Sequence, residues 1–510
     1  MPDFAIIDGF ATLFSSPTTL GFLFLGTTIG LLAGATPGLS ASATTALLIP
    51  LTFYMEPLAA LVFIYTIGKA ASFGGSIPAI LFNTPGTPQA AATQMEGYPL
   101  TRQGKQGKAL KTAVTASAMG DTVSELILIF CAAWVAGYAA KLGPPELFAV
   151  FFCAFIIIGS VIGDSVVKGL LSTLLGILLS LVGFDPITAE PRYVFGVDGL
   201  SDGIGLVPLL LGTLVVSEVL VQITNREALD DARAIAPESQ NRDDHRLTWL
   251  EFKNIVPTIA RSTGYGTLIG MLPGIGASVA SFVAYAEARR TSMPGDNWGK
   301  GEIKGVAAAE AANNATSGAN LIPLLSLGIP GNAVAALLAG VFVIHGIAIG
   351  PRVFIESRDL IYGLFASGLV AIALYFLLGY FGSNFVGRMI AIIPARMIYP
   401  FIFVTSFIAT FALRQSLFDL LVMMTFGVVG YFMKKWNFSI PAFIIAFILG
   451  SGAEESLRQA MLLSESGAFI FFERPIALFF FSIGLLTMGF RLSKKTNARG
   501  GRISPRNNEE

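Results

Sequence analysis

The sequence predicts an all-α polytopic membrane protein of roughly ten to twelve transmembrane helices, arranged as two inverted repeats with Pro-Gly broken helices or re-entrant hairpins. Three observations carry that expectation. The 510 residues are 54% hydrophobic and only 13% charged, with a mean hydropathy of +0.70. The apolar residues gather into long segments. Two Pro-Gly motifs recur, in the same order, in each half of the chain.

Composition removes several classes at once. A soluble domain carries about 25% charged residues, and its surface demands polar groups even when the core is large. A bilayer accepts the apolar excess. The formal net charge is +0, so no basic face is expected and nucleic acid is excluded as a partner. Cys131 and Cys153 both lie in apolar runs, where they form neither a disulfide framework nor a metal knuckle. The 55 glycines suit close-packed or interrupted membrane helices. No Lys or Arg precedes Lys69, so there is no positive signal-peptide region and the first apolar stretch is expected to be retained.

Apolar segments fall near 20–53, 57–68, 112–140, 147–162, 169–183, 205–223, 263–286, 306–349, 361–386, 397–412, 417–433 and 475–490. The stretches 20–53 and 306–349 are too long for one crossing, and 20–53 and 263–286 are interrupted by Pro-Gly. The organisation expected is a first transmembrane repeat over 1–224, a polar connector over 225–251, a second repeat over 252–440, C-terminal membrane segments over 441–490 and a basic tail over 491–510.

Internal repetition is the strongest feature. Gly34–Ser42 reads GATPGLSAS and Gly270–Ser278 reads GMLPGIGAS; Ile77–Gly86 reads IPAILFNTPG and Ile322–Gly331 reads IPLLSLGIPG. Equivalent loops then differ in charge. After the first Pro-Gly segment Tyr54-Met55-Glu56-Pro57 holds no base, whereas the matching loop of the second half holds Arg289, Arg290, Lys300 and Lys304. After the second motif the bias swaps: Arg102, Lys105, Lys108 and Lys111 in the first half, Arg352 and Arg358 offset by Glu356 and Asp359 in the second. Lys and Arg favour the cytoplasmic side, so the halves read as inverted.

Pro-Gly inside an apolar segment breaks a helix and frees backbone N–H and C=O groups. In lipid these are tolerated only where protein buries them or they line a cavity. Paired breaks in inverted halves mark the binding sites of many secondary transporters. The candidate substrate groups are therefore Pro37, Gly38, Ser40, Ser42, Asn83, Thr84, Pro85, Gly86, Thr87, Pro273, Gly274, Gly276, Ser278, Pro330, Gly331 and Asn332. Glu310, Asn313 and Asn314 share one helical face and are candidates for the coupling ion, Na+ or H+. Lys69 could attract a carboxylate or snorkel to the surface. Asp121, Glu125 and Asp164 are read as structural or loop acids.

Other chemistries fail on their motifs. An intramembrane aspartyl protease needs G-x-G-D, but Ala118 and Val161 stand at the first glycine. Ser317-Gly318 with His345 lacks the preceding glycine of a membrane serine protease. No Gly-Lys pair is followed by Ser or Thr, so there is no phosphate loop. No catalytic residue and no cofactor beyond a coupling ion is expected.

With these motifs in place, the chain resembles the large membrane subunit of tripartite tricarboxylate transporters, the TctA family. The resemblance rests on GATPGLSAS, GGSIPAILFNTPGTP with Gly97-Tyr98-Pro99, GMLPGIGAS, EAANNATSGANLIPLLSLGIPG and FILGSGAEESLRQAML, over about residues 18–490. It departs at Ala309 and Ser451-Gly452, which weakens any role for those positions. It implies a bacterial inner-membrane symporter of tri- or dicarboxylates, with a moving unit formed by the two repeats. The partners implied are a small membrane subunit (TctB-like) and a periplasmic solute-binding protein (TctC-like). An ion or small-solute channel on the same broken helices is the alternative.

The six bases Arg491, Lys494, Lys495, Arg499, Arg502 and Arg506 place the tail in the cytoplasm. A single cysteine at Ser504, on a background lacking Cys131 and Cys153, is expected to resist an impermeant thiol reagent in intact cells; ready labelling would reverse the topology.

Overall fold

The computed structural model describes residues 5–500 apart from 37–38, 162–164, 186–187, 225–236, 238, 393–394 and 466, with backbone alone at 395–398 and 492–500. The chain opens with α1 Ala5–Ser15, α2 Pro17–Ala35, α3 Ala41–Thr52, α4 Pro57–Gly74, α5 Ser76–Phe82, α6 Ala90–Arg102 and α7 Gln106–Ala139. Next come α8 Pro144–Val161, α9 Val166–Ser180, α10 Leu206–Leu210, a π-helical stretch Leu211–Val216 and α11 Ser217–Thr224. The second half holds α12 Trp249–Gly270, α13 Gly276–Arg290, α14 Ile303–Ala319, α15 Leu321–Leu327, α16 Ala333–Ile344, the single turn α17 Val353–Glu356 and α18 Arg358–Ile392. α19 Ala395–Arg414, α20 Leu417–Lys435, α21 Ile440–Leu462, the short α22 Ile470–Glu473 and α23 Pro475–Gly500 follow. A two-residue antiparallel ladder joins Gly183–Phe184 to Pro191–Arg192.

This is an all-α, multi-pass membrane protein. Among the described residues eight helices are long and apolar enough to span a bilayer, or nine with the pair Gly467–Glu473 and Pro475–Arg491, which is bent by 88°. Much of the remaining apolar mass lies in shorter helices, among them α3 and α16. The long stretches 20–53 and 306–349 are divided by the breaks and do not make several full crossings. α12 begins at Trp249, well before the apolar stretch at 263, because a capping box starts it in polar sequence. Thr248 Oγ1 accepts from the Glu251 N–H at 3.4 Å, and Glu251 Oε2 accepts from the Thr248 N–H at 2.9 Å.

The residues form two compact units, Met1–Ala140 with Gly205–Tyr431, and Lys141–Ile204 with Phe432–Glu510. In the second unit α21 packs on α8 and α9, and α23 packs on α8. Arg192 and Arg458 clamp Asp185 and Glu454 there, with Arg458 2.7 Å from both acids.

The first unit contains the duplication. α2 packs on α4 through Gly26, Gly30 and Gly34, spaced four apart. A Cβ at Gly30 would strike the backbone of Ile67, and one at Gly34 that of Ala71. α12 packs on α14 the same way, with Gly266 against Ala312 and Gly270 against Thr316. Small residues let the backbones approach where lipid offers no hydrophobic drive for helix pairing. Each broken helix also packs on the long helix of the other half, α14 on α7 and α4 on α18. The smaller pairs interchange likewise, α3 with α16 and α13 with α6. Between α4, α5, α7 and α18 lies an apolar core that includes Phe73, Ile77, Ile80, Leu110, Val114 and Ile372.

Gly30→Leu is expected to destabilise the protein by ~1–3 kcal/mol or more through overpacking at a backbone contact. A lowered melting temperature in detergent checks it. Gly21→Leu, where no atom lies within 4 Å of the added Cβ, should leave the melting temperature unchanged.

Candidate functional site

Both halves break their central helix by one local pattern. α4 gives way to α5 at Gly75, and α14 gives way to α15 at Asn320. The Gly75 N–H donates to the Ala71 carbonyl at 3.1 Å and the Asn320 N–H to that of Thr316 at 2.9 Å. The short helices end in left-handed residues, Asn83 with φ 59° and Gly328 with φ 75°. The next residues cap back in the same way: the Thr84 N–H donates to the Pro78 carbonyl at 3.3 Å, and that of Ile329 to Pro323 at 3.1 Å. Pro78 and Pro323, third in each short helix, have no N–H for the carbonyl four residues back, which is where α4 and α14 end.

In the first half the Pro85-Gly86 turn meets the helix break at Gly75, and in the second half the two Pro-Gly turns meet each other. The Gly86 N–H donates to the Gly75 carbonyl at 3.0 Å, and the Gly274 N–H to the Gly331 carbonyl at 2.9 Å. A Cβ on Gly86 would strike the Gly34 carbonyl, and one on Gly331 would lie 2.7 Å from Asn320 Oδ1. Pro37 and Gly38 lie outside the described residues.

A cavity of about 70 Å³ sits where these breaks come together. Each helix that follows a Pro-Gly turn gives it at least one residue from its first turn or cap: Ala41 of α3, Gln89 before α6, Ala277 of α13, and Asn332, Val334 and Ala335 at the start of α16. Tyr65, Gly68, Lys69 and Ser72 of α4 form another wall, with Thr316, Ser317 and Asn320 at the end of α14. Such helix starts carry N–H groups and partial positive charge.

The candidate residues distribute unevenly around this cavity. Asn332 lines it and caps α16, its Oδ1 accepting from the Ala335 N–H at 2.8 Å. Ser40 caps α3 and accepts from the Ala43 N–H at 3.1 Å, with Ser42 Oγ 3.2 Å away. Gly274 and Gly276, at φ 86° and 76°, shape the turn between Pro273 and Ser278. Thr87 is buried beneath Gly75. Asn83 and Thr84 are exposed and do not line the cavity; Gln94 Nε2 donates to Asn83 Oδ1 at 2.8 Å.

Glu310 is buried inside α14. Its carboxylate accepts from Ser76 and Thr93, and from Ser117 at 2.7 Å. The neighbouring amides reach different partners, Asn313 donating to the Ser72 carbonyl at 3.1 Å and Asn314 to Tyr375 OH at 3.2 Å.

The acids read as structural or loop residues fall in different places. Asp121 and Glu125 lie within α7, fully buried, and Lys69 reaches both. Its Nζ is 2.6 Å from Asp121 Oδ1 and 2.9 Å from Glu125 Oε2. Tyr65 OH donates to Glu125 Oε2 at 2.6 Å, and Tyr375 OH to Asp121 Oδ2 at 3.2 Å. Lys69 therefore neither snorkels nor faces water. Asp164 lies outside the described residues. The i, i+4 spacing of Asp121 and Glu125 was a signal, since it puts both on one helical face; nothing in the sequence tied that face to α4. Tyr65, Ser72, Gln89, Thr316 and Asn320 were not singled out either.

Paired broken helices around one cavity, among helices of membrane-spanning length, define a multi-pass membrane protein. The chain belongs to the TctA family, whose members are the large subunits of tripartite tricarboxylate transporters; the family model matches residues 20–445. Two relatives come from Agrobacterium vitis. An uncharacterized 52.8 kDa protein of the TAR-I ttuC' 3' region is 34% identical over 480 residues, covering 94% of this chain and 93% of the relative. An uncharacterized protein of the TAR-II ttuC' 3' region is 35% identical over 221 residues, covering 43% of this chain and 91% of the relative. No solved structure matches the chain.

Removing one partner from a buried ion pair strands the other charge and costs about 3–5 kcal/mol. Lys69→Met should lower the melting temperature accordingly, and adding Asp121→Asn and Glu125→Gln should restore part of the loss. A triple variant no more stable than Lys69→Met would show that the charges are not coupled.

Proposed function

We propose that this chain is the carrier subunit of a receptor-dependent secondary transporter. It takes up tricarboxylates or dicarboxylates by symport with Na+ or H+. The observation that supports this reading is the cavity to which α3, α6, α13 and α16, each begun after a Pro-Gly turn, contribute Ala41, Gln89, Ala277 and Asn332. A carboxylate leaving water for this setting loses hydration that helix N-termini and amide donors can replace. Asn320, Asn332 and Lys69 supply the side chains.

The two halves work as inverted repeats, related by an axis in the membrane plane, and alternate access by moving together against the rest of the subunit. The interchange of helix pairs between halves and the opposed loop charges support this. The protein resides in the bacterial inner membrane with its C-terminus in the cytoplasm. A TctC-like periplasmic receptor delivers the substrate, and a TctB-like small membrane subunit completes the complex.

Proteoliposomes containing the complete complex provide the test. Carboxylate accumulation should saturate, require the receptor and collapse when an ionophore dissipates the ion gradient. Receptor-independent flux that ignores the gradient would favour a channel. Asn332→Ala should raise the half-saturating concentration about tenfold, equivalent to about 1.4 kcal/mol of binding. Gly331→Leu should abolish uptake while the protein still inserts, because its side chain would collide with Asn320.

A further inference from the structure

Four ionisable side chains of α4, α7 and α14 are buried together: Lys69, Asp121, Glu125 and Glu310. They comprise one cation and three carboxylates. Glu310 is held by three hydroxyl donors and has no cationic partner among the described residues. Lys69 alone faces Asp121 and Glu125, so that trio carries a formal excess of one negative charge. A buried group in such surroundings is retained only when something compensates it.

The hydrogen bonds show where compensation is lacking. Asp121 accepts from Lys69 and Tyr375, and Glu125 Oε2 from Lys69 and Tyr65. Glu125 Oε1 is buried with no hydrogen-bond partner, and Gly368 packs against it so closely that a Cβ there would strike the carboxylate. Tyr375 must donate to Asp121, a pure acceptor, and so receives the Asn314 amide on its lone pair. That orientation leaves Asn314 Oδ1 without a partner, as Asn313 Oδ1 and Asn320 Oδ1 also are. The unsatisfied atoms around the trio are acceptors. Glu125 Oε1 is packed too closely for a coordination shell, whereas a proton needs none.

Lys69 also lines the cavity proposed for the substrate, which links the two events. Resting on that reading, we infer that Asp121 and Glu125 are the site that takes up the coupling proton, with Lys69 as the element that trades places with it. A substrate carboxylate in the cavity competes for the Lys69 ammonium. As the ammonium turns to it, Asp121 and Glu125 remain as two buried carboxylates one helical turn apart. Like charges that close cannot both stay ionised in the interior, so the pair binds one proton from solution. The groups facing the pair are Lys69 and Tyr65 from α4, Tyr375 from α18 and, beyond Asn314, Glu310 from α14. Positional equivalence between the halves points to the same place: Lys69 and Asn314 each stand eight residues before the isoleucine of their I-P-x6-P-G motif, and both end on Asp121, Asn314 through Tyr375.

The test is proton uptake on substrate binding. Purified complex in weakly buffered detergent solution receives citrate, then a panel of other fully ionised di- and tricarboxylates. A pH dye reads protons while thermal shift reads binding. The wild type should take up about one proton per bound anion, independent of Na+, and Asp121→Asn with Glu125→Gln should reduce that at least about fivefold. Binding without proton uptake by the wild type overturns the inference and leaves the transport reading intact, whether or not the variants fold. So does binding that requires Na+, or loss of uptake in Glu310→Gln with retention in the Asp121 and Glu125 variants. No thermal shift with any carboxylate would overturn both readings.

Discussion

A helix broken inside a bilayer must have every freed N–H and C=O met by protein, and the architecture of the first unit follows from that requirement. α4 and α14 each break once and resume as a helix of seven residues. The groups they free are answered locally, by the Gly75 and Asn320 caps, and in the first half also by the Pro85-Gly86 turn, whose Gly86 N–H reaches the Gly75 carbonyl; in the second half the two Pro-Gly turns bond to each other, Gly274 to Gly331. One break therefore recruits another. The glycines at these meetings are required by close approach: a Cβ on Gly86 would land on the Gly34 carbonyl.

Close approach also governs how the breaks are held in place. Gly30 and Gly34 bring α2 onto α4, and Gly266 and Gly270 bring α12 onto α14, so each broken helix lies against a continuous one. On its other side each meets the long helix of the opposite half. The first turns of α3, α6, α13 and α16 are thereby directed to one cavity. Peptide dipoles at these helix starts give that cavity partial positive charge.

Charge enters from behind the wall. Lys69 belongs to the cavity lining, and its ammonium pairs with Asp121 and Glu125. Tyr375 holds the second oxygen of Asp121, Tyr65 shares Glu125 Oε2 with Lys69, and Asn314 holds Tyr375. The network thus spans α4 and α7 of one half and α14 and α18 of the other. A shift of either half relative to the other must rearrange it. Glu310 of α14, fixed by Ser76 of α5, Thr93 of α6 and Ser117 of α7, ties those helices together by hydroxyl contacts.

Membrane class and the helical fold were legible in the sequence, because apolar segment length is a local property of the chain. The Pro-Gly breaks were legible for the same reason, since proline removes a donor wherever it stands; the breaks at Gly75 and Asn320 were not marked in advance. Individual site residues were less so. Asn332 was marked by its motif and lines the cavity, whereas Asn83, equally close to a Pro-Gly, faces Gln94 at an exposed corner. Motif proximity says nothing about which way a left-handed cap points its side chain. Lys69, Asp121 and Glu125 could be listed from the sequence but not joined. Lys69 stands 52 residues from Asp121, and only the packing of α4 against α7 and α18 closes that distance. Apolar patterning sets which segments enter the membrane; which buried charge meets which is a property of helix contacts, and those are decided by the glycine surfaces and breaks acting together in three dimensions.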